Sequence, residues 1–345
     1  MQYYKLAVKL GNPEAQICLE RLFNDVEDVL KTDIEVLWTI KDAERGDPDS
    51  QFVLGNMYKD GDWVRQSYSK SLAWYKNAAE QGHSDAQYAL GLMFENGKGT
   101  WRSYKEAARW YRMAAEKENM EAQYKLGVFS YTGKGGPKDY DDAEMWFELS
   151  AYQGHAGACN YLGDIYSLGE LGYTLYKKAF WWYKKAAEQG HVESQYKLGL
   201  LYDEGKGVSQ SYVEAAKWYG LAAEQGCAKA QFKLGELYSF GEGVVQSHSE
   251  AFKFYKLASS QGNVDAQNSL GVAYYMGEGV QQSYWEAVKY FRLAAEKGNV
   301  YAQYNLGLAY HYGKGVEQSD YYARIWYTKA AGQGFEEAKK ALKEL

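Results

Sequence analysis

Apolar and polar positions alternate with a helical period along most of the chain, and residues 191–226 show it most clearly. Ser194, Leu198, Leu201 and Tyr202 are small or apolar and fall on one face of an α-helix over about 192–203. Gly205-Lys206-Gly207 ends that helix, since glycines supply positive φ without a Cβ penalty. A second helix follows from Ser211 to about Gln225, with Ala215, Trp218, Tyr219, Ala222 and Ala223 as its apolar stripe and Gly226 as its stop. Ser211 and Glu214 predict a capping box, in which each side chain satisfies an exposed backbone N–H at the helix start. The same pair recurs at Ser103/Glu106, Ser247/Glu250 and Ser283/Glu286. Asn12-Pro13 and Asp47-Pro48 place an N-cap residue before a proline at the first helical position. No stretch alternates with period two, so no strands are predicted.

This helix pair repeats. Leu-Gly occurs at Leu54, Leu90, Leu126, Leu162, Leu198, Leu234, Leu270 and Leu306, each 36 residues after the last, which is the signature of stacked helical units. Leu19 and Leu342 occupy the Leu slot in weaker copies at the two ends. The predicted organisation is one all-α solenoid over 1–345. It comprises a half repeat 1–11, nine helix pairs (12–46, 47–82, 83–118, 119–154, 155–190, 191–226, 227–262, 263–298 and 299–334) and a capping half repeat 335–345. The Leu-Gly glycine lies inside a helix, where it costs roughly 1 kcal/mol against Ala. Its recurrence predicts close approach of the partner helix, whose aromatic fills the space. Large aromatics facing small residues then account for 34 Tyr, 11 Trp and 12 Phe.

Composition narrows the function classes. A net charge of −6 and a pI near 5.6 exclude a basic nucleic-acid footprint. Cys18, Cys159 and Cys227 are sparse and unpatterned, which is no disulfide framework and fits a reducing, cytoplasmic compartment. No run of 18 apolar residues predicts a membrane span, and MQYYKLAVKLG lacks the core of a signal peptide. A monomer is expected, with no cofactor and no metal. The start in mid-repeat also admits a fragment of a longer repeat protein, or a structural spacer.

Residues 194–226 follow A-x-Q-Y-x-L-G-x-x-Y-x-x-G-x-G-V, a short turn, then K/E-A-x-x-W-Y-x-K-A-A-x-x-G almost completely. In this the chain resembles the Sel-like repeat family, cousins of the tetratricopeptide repeats, over essentially its whole length. The 36-residue period and the missing repeat-end proline favour that branch. The resemblance implies a right-handed α/α superhelix with first helices lining the concave side. It implies an adaptor or scaffold that holds a protein or peptide, as family members do in endoplasmic-reticulum degradation, cell-wall regulation and host contacts of intracellular bacteria. Fold alone does not name the partner.

Candidate chemistry falls into repeated slots. Ser67-Tyr68-Ser69-Lys70 matches S-x-x-K, the nucleophile motif of penicillin-recognising enzymes, but Ser67 sits at the cap position and no S-D-N or K-T-G follows. A cysteine-rich branch of the family carries a β-lactamase label, yet its paired cysteines are absent here, so a hydrolase is the weaker alternative. Gly97-Lys98-Gly99 and Gly205-Lys206-Gly207 lack P-loop spacing and follow helices. His83, His155 and His191 share one slot a repeat apart, poor geometry for a shared metal, and read as surface turn residues.

The remaining candidate is a protein-binding face on the first helices. Positions two before and two after the Leu of Leu-Gly lie roughly 200° away around the helix and should face the groove. The row before runs Phe52, Tyr88, Tyr124, Asn160, Tyr196, Phe232, Asn268 and Tyr304. The row after includes Asn56, Leu92, Asp164, Leu200, Glu236 and Leu308. One turn further come Lys59, Glu95, Tyr131, Ser167, Asp203, Ser239, Tyr275 and His311. Exposed, these rows would form a contact surface; partly buried, they would be packing between neighbours. Asn56 and Lys59 form the only adjacent pair with the flavour of a carboxylate clamp, and no full clamp is present. Repeat 155–190 departs from the rest: Cys159 replaces Gln, Leu171 a loop glycine and Leu175 the cap serine.

Overall fold

A computed structural model describes residues 34–172 and 174–345. Asn12-Pro13, Cys18, Leu19 and the half repeat 1–11 lie outside the described residues. Among those described there are eighteen helices and no strand. The second helices of the repeats are α1 (Ile34–Glu44), α3 (Tyr68–Glu80), α5 (Tyr104–Ala115), α7 (Tyr140–Tyr152), α9 (Tyr176–Glu188), α11 (Tyr212–Glu224), α13 (His248–Ser260), α15 (Tyr284–Glu296) and α17 (Asp320–Gly332). The first helices are α2 (Pro48–Asp60), α4 (Ser84–Asn96), α6 (Met120–Thr132), α8 (Ala156–Leu168), α10 (Val192–Glu204), α12 (Ala228–Phe240), α14 (Val264–Met276), α16 (Val300–Tyr312) and α18 (Glu336–Glu344). They form an all-α solenoid of repeats, with consecutive helices packed against one another from α1 to α7 and from α9 to α18. Two compact units divide it, Met1–Ile165 and Tyr166–Leu345, with the division inside α8.

Packing follows the predicted glycine–aromatic pairing. A Cβ on Gly55 would lie 2.5 Å from the Tyr75 ring and one on Gly199 2.6 Å from the Tyr219 ring. The same relation holds between Gly91 and Tyr111, Gly127 and Phe147, Gly235 and Tyr255, Gly271 and Phe291, and Gly307 and Tyr327. The first helix thus lets an aromatic of its own repeat lie against bare backbone, burying that ring at the cost of helix propensity.

A second device is polar. Buried Gln195 donates its side-chain amide to the Ala187 carbonyl (3.3 Å) and accepts from Gln225 (2.8 Å). Gln51, Gln123, Gln231 and Gln303 repeat the arrangement, tying each repeat's first helix to the preceding second helix and to the end of its own. A buried amide of this kind is tolerated because both its ends are bonded.

The helix caps correct one expectation. Ser211 Oγ accepts from the Glu214 backbone N–H (3.3 Å), but the reciprocal half of the capping box is replaced. The Ser211 N–H donates to the Tyr202 carbonyl of α10 (2.9 Å), and Ser67, Ser103, Ser247 and Ser283 do the same nine residues back. Tertiary contact has taken the donor the glutamate would have used, leaving Glu214, Glu250 and Glu286 beside Lys217, Lys253 and Lys289. Leu175 caps α9 with no side-chain bond, as its sequence implied.

Candidate functional site

First-helix caps show what the histidines do. Nδ1 of His83, His155 and His191 accepts from the backbone N–H of Ala86 (3.2 Å), Ala158 (3.0 Å) and Ser194 (3.3 Å). They stand where Asp47, Asn119, Asn263 and Asn299 stand in sister repeats, so they are N-caps rather than plain turn residues. The His83 ring stacks on Phe52 (4.7 Å) and that of His155 on Tyr124 (4.1 Å). The caps at His83 and His155 thereby cover part of the preceding repeat's first row. Among the described residues, no group of three or more His, Cys, Asp or Glu is placed to hold a metal, and no helix is long and apolar enough to cross a membrane. Ser67 Oγ accepts from the Lys70 N–H (3.4 Å) as the cap of α3.

The predicted face is half-buried rather than open. Phe52, Tyr88, Tyr124, Tyr196, Phe232, Asn268 and Tyr304 are partly covered, and Asn160 is buried beside Asp164, whose carboxylate it meets at 3.4 Å. Asn56, Lys59, Tyr131, Asp203, Glu236, Tyr275 and His311 are also partly covered. Several hold the floor tyrosines in place. Tyr75 donates to Asn56 Oδ1 (2.7 Å), Tyr111 to Glu95 (2.6 Å) and Tyr219 to Asp203 (3.0 Å). Burial pushes Tyr75, Tyr88 and Tyr124 up to about 12. Burial and the adjacent carboxylate raise Tyr111 and Tyr219 further.

These residues assemble into a recurring slot between adjacent first helices. Its floor is the aromatic that lies on the Leu-Gly glycine, and its walls come from the first and third rows. A fourth residue, the one immediately before Leu-Gly in the next repeat, gates it. Where that gate is large, it fills the slot. Lys125 reaches Glu95 (3.0 Å) and Asn305 donates to Asn268 (3.2 Å), while Lys233 bonds Glu236 on its own helix (2.9 Å) with the Asp203 carboxylate nearby. Tyr161 lays its ring on Phe147 (4.8 Å). Where the gate is Ala89, Ser269 or Ala341, the slot is open. The Ala89 slot holds about 400 Å³ and is lined by Phe52, Asn56, Lys59, Tyr75, Tyr88 and Leu92 among others. The Ser269 slot (about 210 Å³) has Tyr255, Val272 and Glu278 in its lining. The Ala341 slot (about 230 Å³) has Tyr304, Leu308, His311 and Tyr327.

Of the predicted face, Phe52, Asn56, Lys59 and Tyr88 therefore come together in one slot, and Tyr304 and His311 in another. Tyr124, Tyr131 and Asn268 sit at slots already filled, Asp203 lies at the slot gated by Lys233, and Glu236 bonds that lysine from the same helix. The residues the rows missed are the gates. Their signal was present in the sequence as a side chain that changes size from copy to copy beside the recurring Leu of the repeat.

Comparison with known proteins agrees with this architecture. The model of the Sel1 repeat family matches residues 48–83, 84–119, 121–155, 156–191, 192–227, 228–263, 264–299 and 300–335. A protective antigen of uropathogenic Escherichia coli, c5321, which displays an SLR fold, is 36% identical over 90% of this chain and 67% of its own, with a TM-score of 0.84. A Sel1 repeat protein from Oxalobacter formigenes is 30% identical over 95% of this chain and 93% of its own, with a TM-score of 0.68. No curated protein sequence matches the chain.

Proposed function

The chain belongs to the Sel1 repeat family, and on that premise we propose that it is a protein-interaction scaffold whose first-helix face holds a segment of a partner protein. The observation that carries this is the set of open slots on that face, concave sites with apolar floors and a few polar groups at the rim. The polar groups elsewhere are already employed by the fold. The Ser67 hydroxyl caps a helix, the histidines of the cap slot cap others, and the buried glutamines join neighbouring helices. That distribution supports binding over hydrolysis.

A photo-crosslinking amino acid tests the reading. Placed at Leu92 or Leu308 on the first-helix face, it should trap the same partner in the native cell. Placed at Leu221 or Leu257, which are exposed on second helices, it should not. Crosslinks arising only from the second-helix positions would overturn the assignment of the face.

A further inference from the structure

One filled slot shows what an open slot accepts. Between α6 and α8 the floor is Phe147, the walls are Tyr124 and Tyr131, and the gate is Tyr161. The Tyr161 ring lies parallel to Phe147 (4.8 Å, 5°) and edge-on to Tyr131 (5.3 Å, 65°), with Tyr124 at 6.1 Å. Seventy-two residues earlier the same four positions are Tyr75, Phe52, Lys59 and Ala89. Floor and wall are kept, and the ring is missing. The space it would occupy is the largest of the three open slots.

We propose that the slot gated by Ala89 docks an aromatic side chain of a partner segment, carried next to an acidic residue. The proposal rests on the reading of the first-helix face given above. Parallel or offset stacking is a favoured arrangement of two rings, and the protein uses it at Phe147. The floor is prepared for it. The Tyr75 hydroxyl is already bonded to Asn56 (2.7 Å), so an entering ring leaves that group satisfied. The rim sets the neighbour's charge. Lys59, which replaces Tyr131 of the filled slot, and Lys98 both line the cavity. Lys59 is otherwise held by an exposed ion pair with Asp60 (3.3 Å), and Lys98 lies over the Tyr68 ring (5.2 Å). Exposed pairs of this kind are weak, so a desolvated carboxylate competes for those lysines. At the other end of the slot Asp85 and Glu121 disfavour acid, which orients the segment. The open slot at Ser269 carries Glu278 and His248, and that at Ala341 carries Glu337, Glu344, Lys340 and His311; neither has a pair of lysines like that of the Ala89 slot, and they serve as internal contrasts.

The test uses the full chain with labelled methyl groups at Leu92 and Met93, which line the slot. The probe is the peptide acetyl-Gly-Tyr-Asp-Gly-amide. It should shift both methyl resonances. The peptide with Leu for Tyr should bind at least ten-fold more weakly, and the one with Lys for Asp several-fold more weakly. Ala89→Tyr should abolish the shifts while leaving the melting temperature unchanged. Should that variant misfold, Ala89→Lys, which copies the gate at Lys125, replaces it. Tyr161→Ala should create a second site for the tyrosine ring, without the preference for Asp over Lys, since Tyr131 stands there in place of Lys59. Failure of the Tyr-Asp peptide to bind, equal binding of the Leu peptide, or undiminished binding by a folded Ala89 variant would each overturn the proposal. Those outcomes leave the scaffold reading standing, since crosslinking at Leu308 does not depend on this slot.

Discussion

Gln87 and Lys117 stand thirty residues apart, where five other repeats place a pair of glutamines joined at 2.8 Å. Lys117 turns away to the Gly82 carbonyl, and the Oε1 of Gln87 is left buried without a donor. Lys297 behaves likewise, bonding the Gly262 carbonyl while Gln267 Oε1 goes unpaired. A buried acceptor without a partner costs about 1–3 kcal/mol.

Lys117→Gln and Lys297→Gln should each therefore stabilise the chain, by about 1 kcal/mol, by supplying the missing amide donor. Urea denaturation checks this through a higher midpoint at unchanged slope. Gln225→Leu should do the reverse, because it strips Gln195 Oε1 of its donor.

Gly199→Ala should destabilise although Ala is the better helix former. The propensity gain is about 1 kcal/mol. The new methyl would lie 2.6 Å from the buried Tyr219 ring, whose displacement costs about 1–3 kcal/mol or more and pulls its hydroxyl from Asp203. A double-mutant cycle with Tyr219→Leu should show strong coupling between the two positions.

His83→Asn should leave stability almost unchanged, since Asn119 performs the same capping in the next repeat. His83→Ala should cost about 1 kcal/mol through the freed Ala86 N–H. It should also uncover Phe52, which thermal melts and fluorescent-dye binding would report together.

Alkaline pH should unfold the array steeply. Burial raises Tyr75, Tyr88, Tyr124 and Tyr255 to about 12 in the folded chain, against 10 for the free group. The unfolded chain then releases these protons first, so the stability they contribute is full below pH 10 and is lost as pH rises from about 10 to about 12. Phenolate absorbance should show a second, cooperative step coincident with loss of helical circular dichroism.

The repeat was legible because its determinants are local. Glycine conformation, capping side chains and a 3.6-residue apolar period act within about ten residues, so 36-residue spacing of Leu-Gly fixed helix positions and the Gly199–Tyr219 type of contact together. The histidine caps were less legible. A ring nitrogen reaching a backbone N–H three residues on is a rarer use of histidine than of asparagine, and only the shared slot with Asn119 and Asn263 hinted at it. The reciprocal half of the capping box failed for a non-local reason, since the Ser211 N–H is taken by a carbonyl nine residues away on another helix.

Sequence by itself determined the family, the helix pairs and the face on which a partner would be sought, since all of these follow from side-chain period and backbone preference. Tertiary structure decided which parts of that face are open. Whether a slot is filled depends on a floor residue, two wall residues and a gate drawn from neighbouring repeats, and on whether the gate is long enough to reach its bonding partner. Lys125 and Ala89 occupy the same repeat position, yet one closes its slot against Glu95 and the other leaves a cavity beside Tyr75. That difference is a matter of volume and distance across two packed helices, which period alone does not specify.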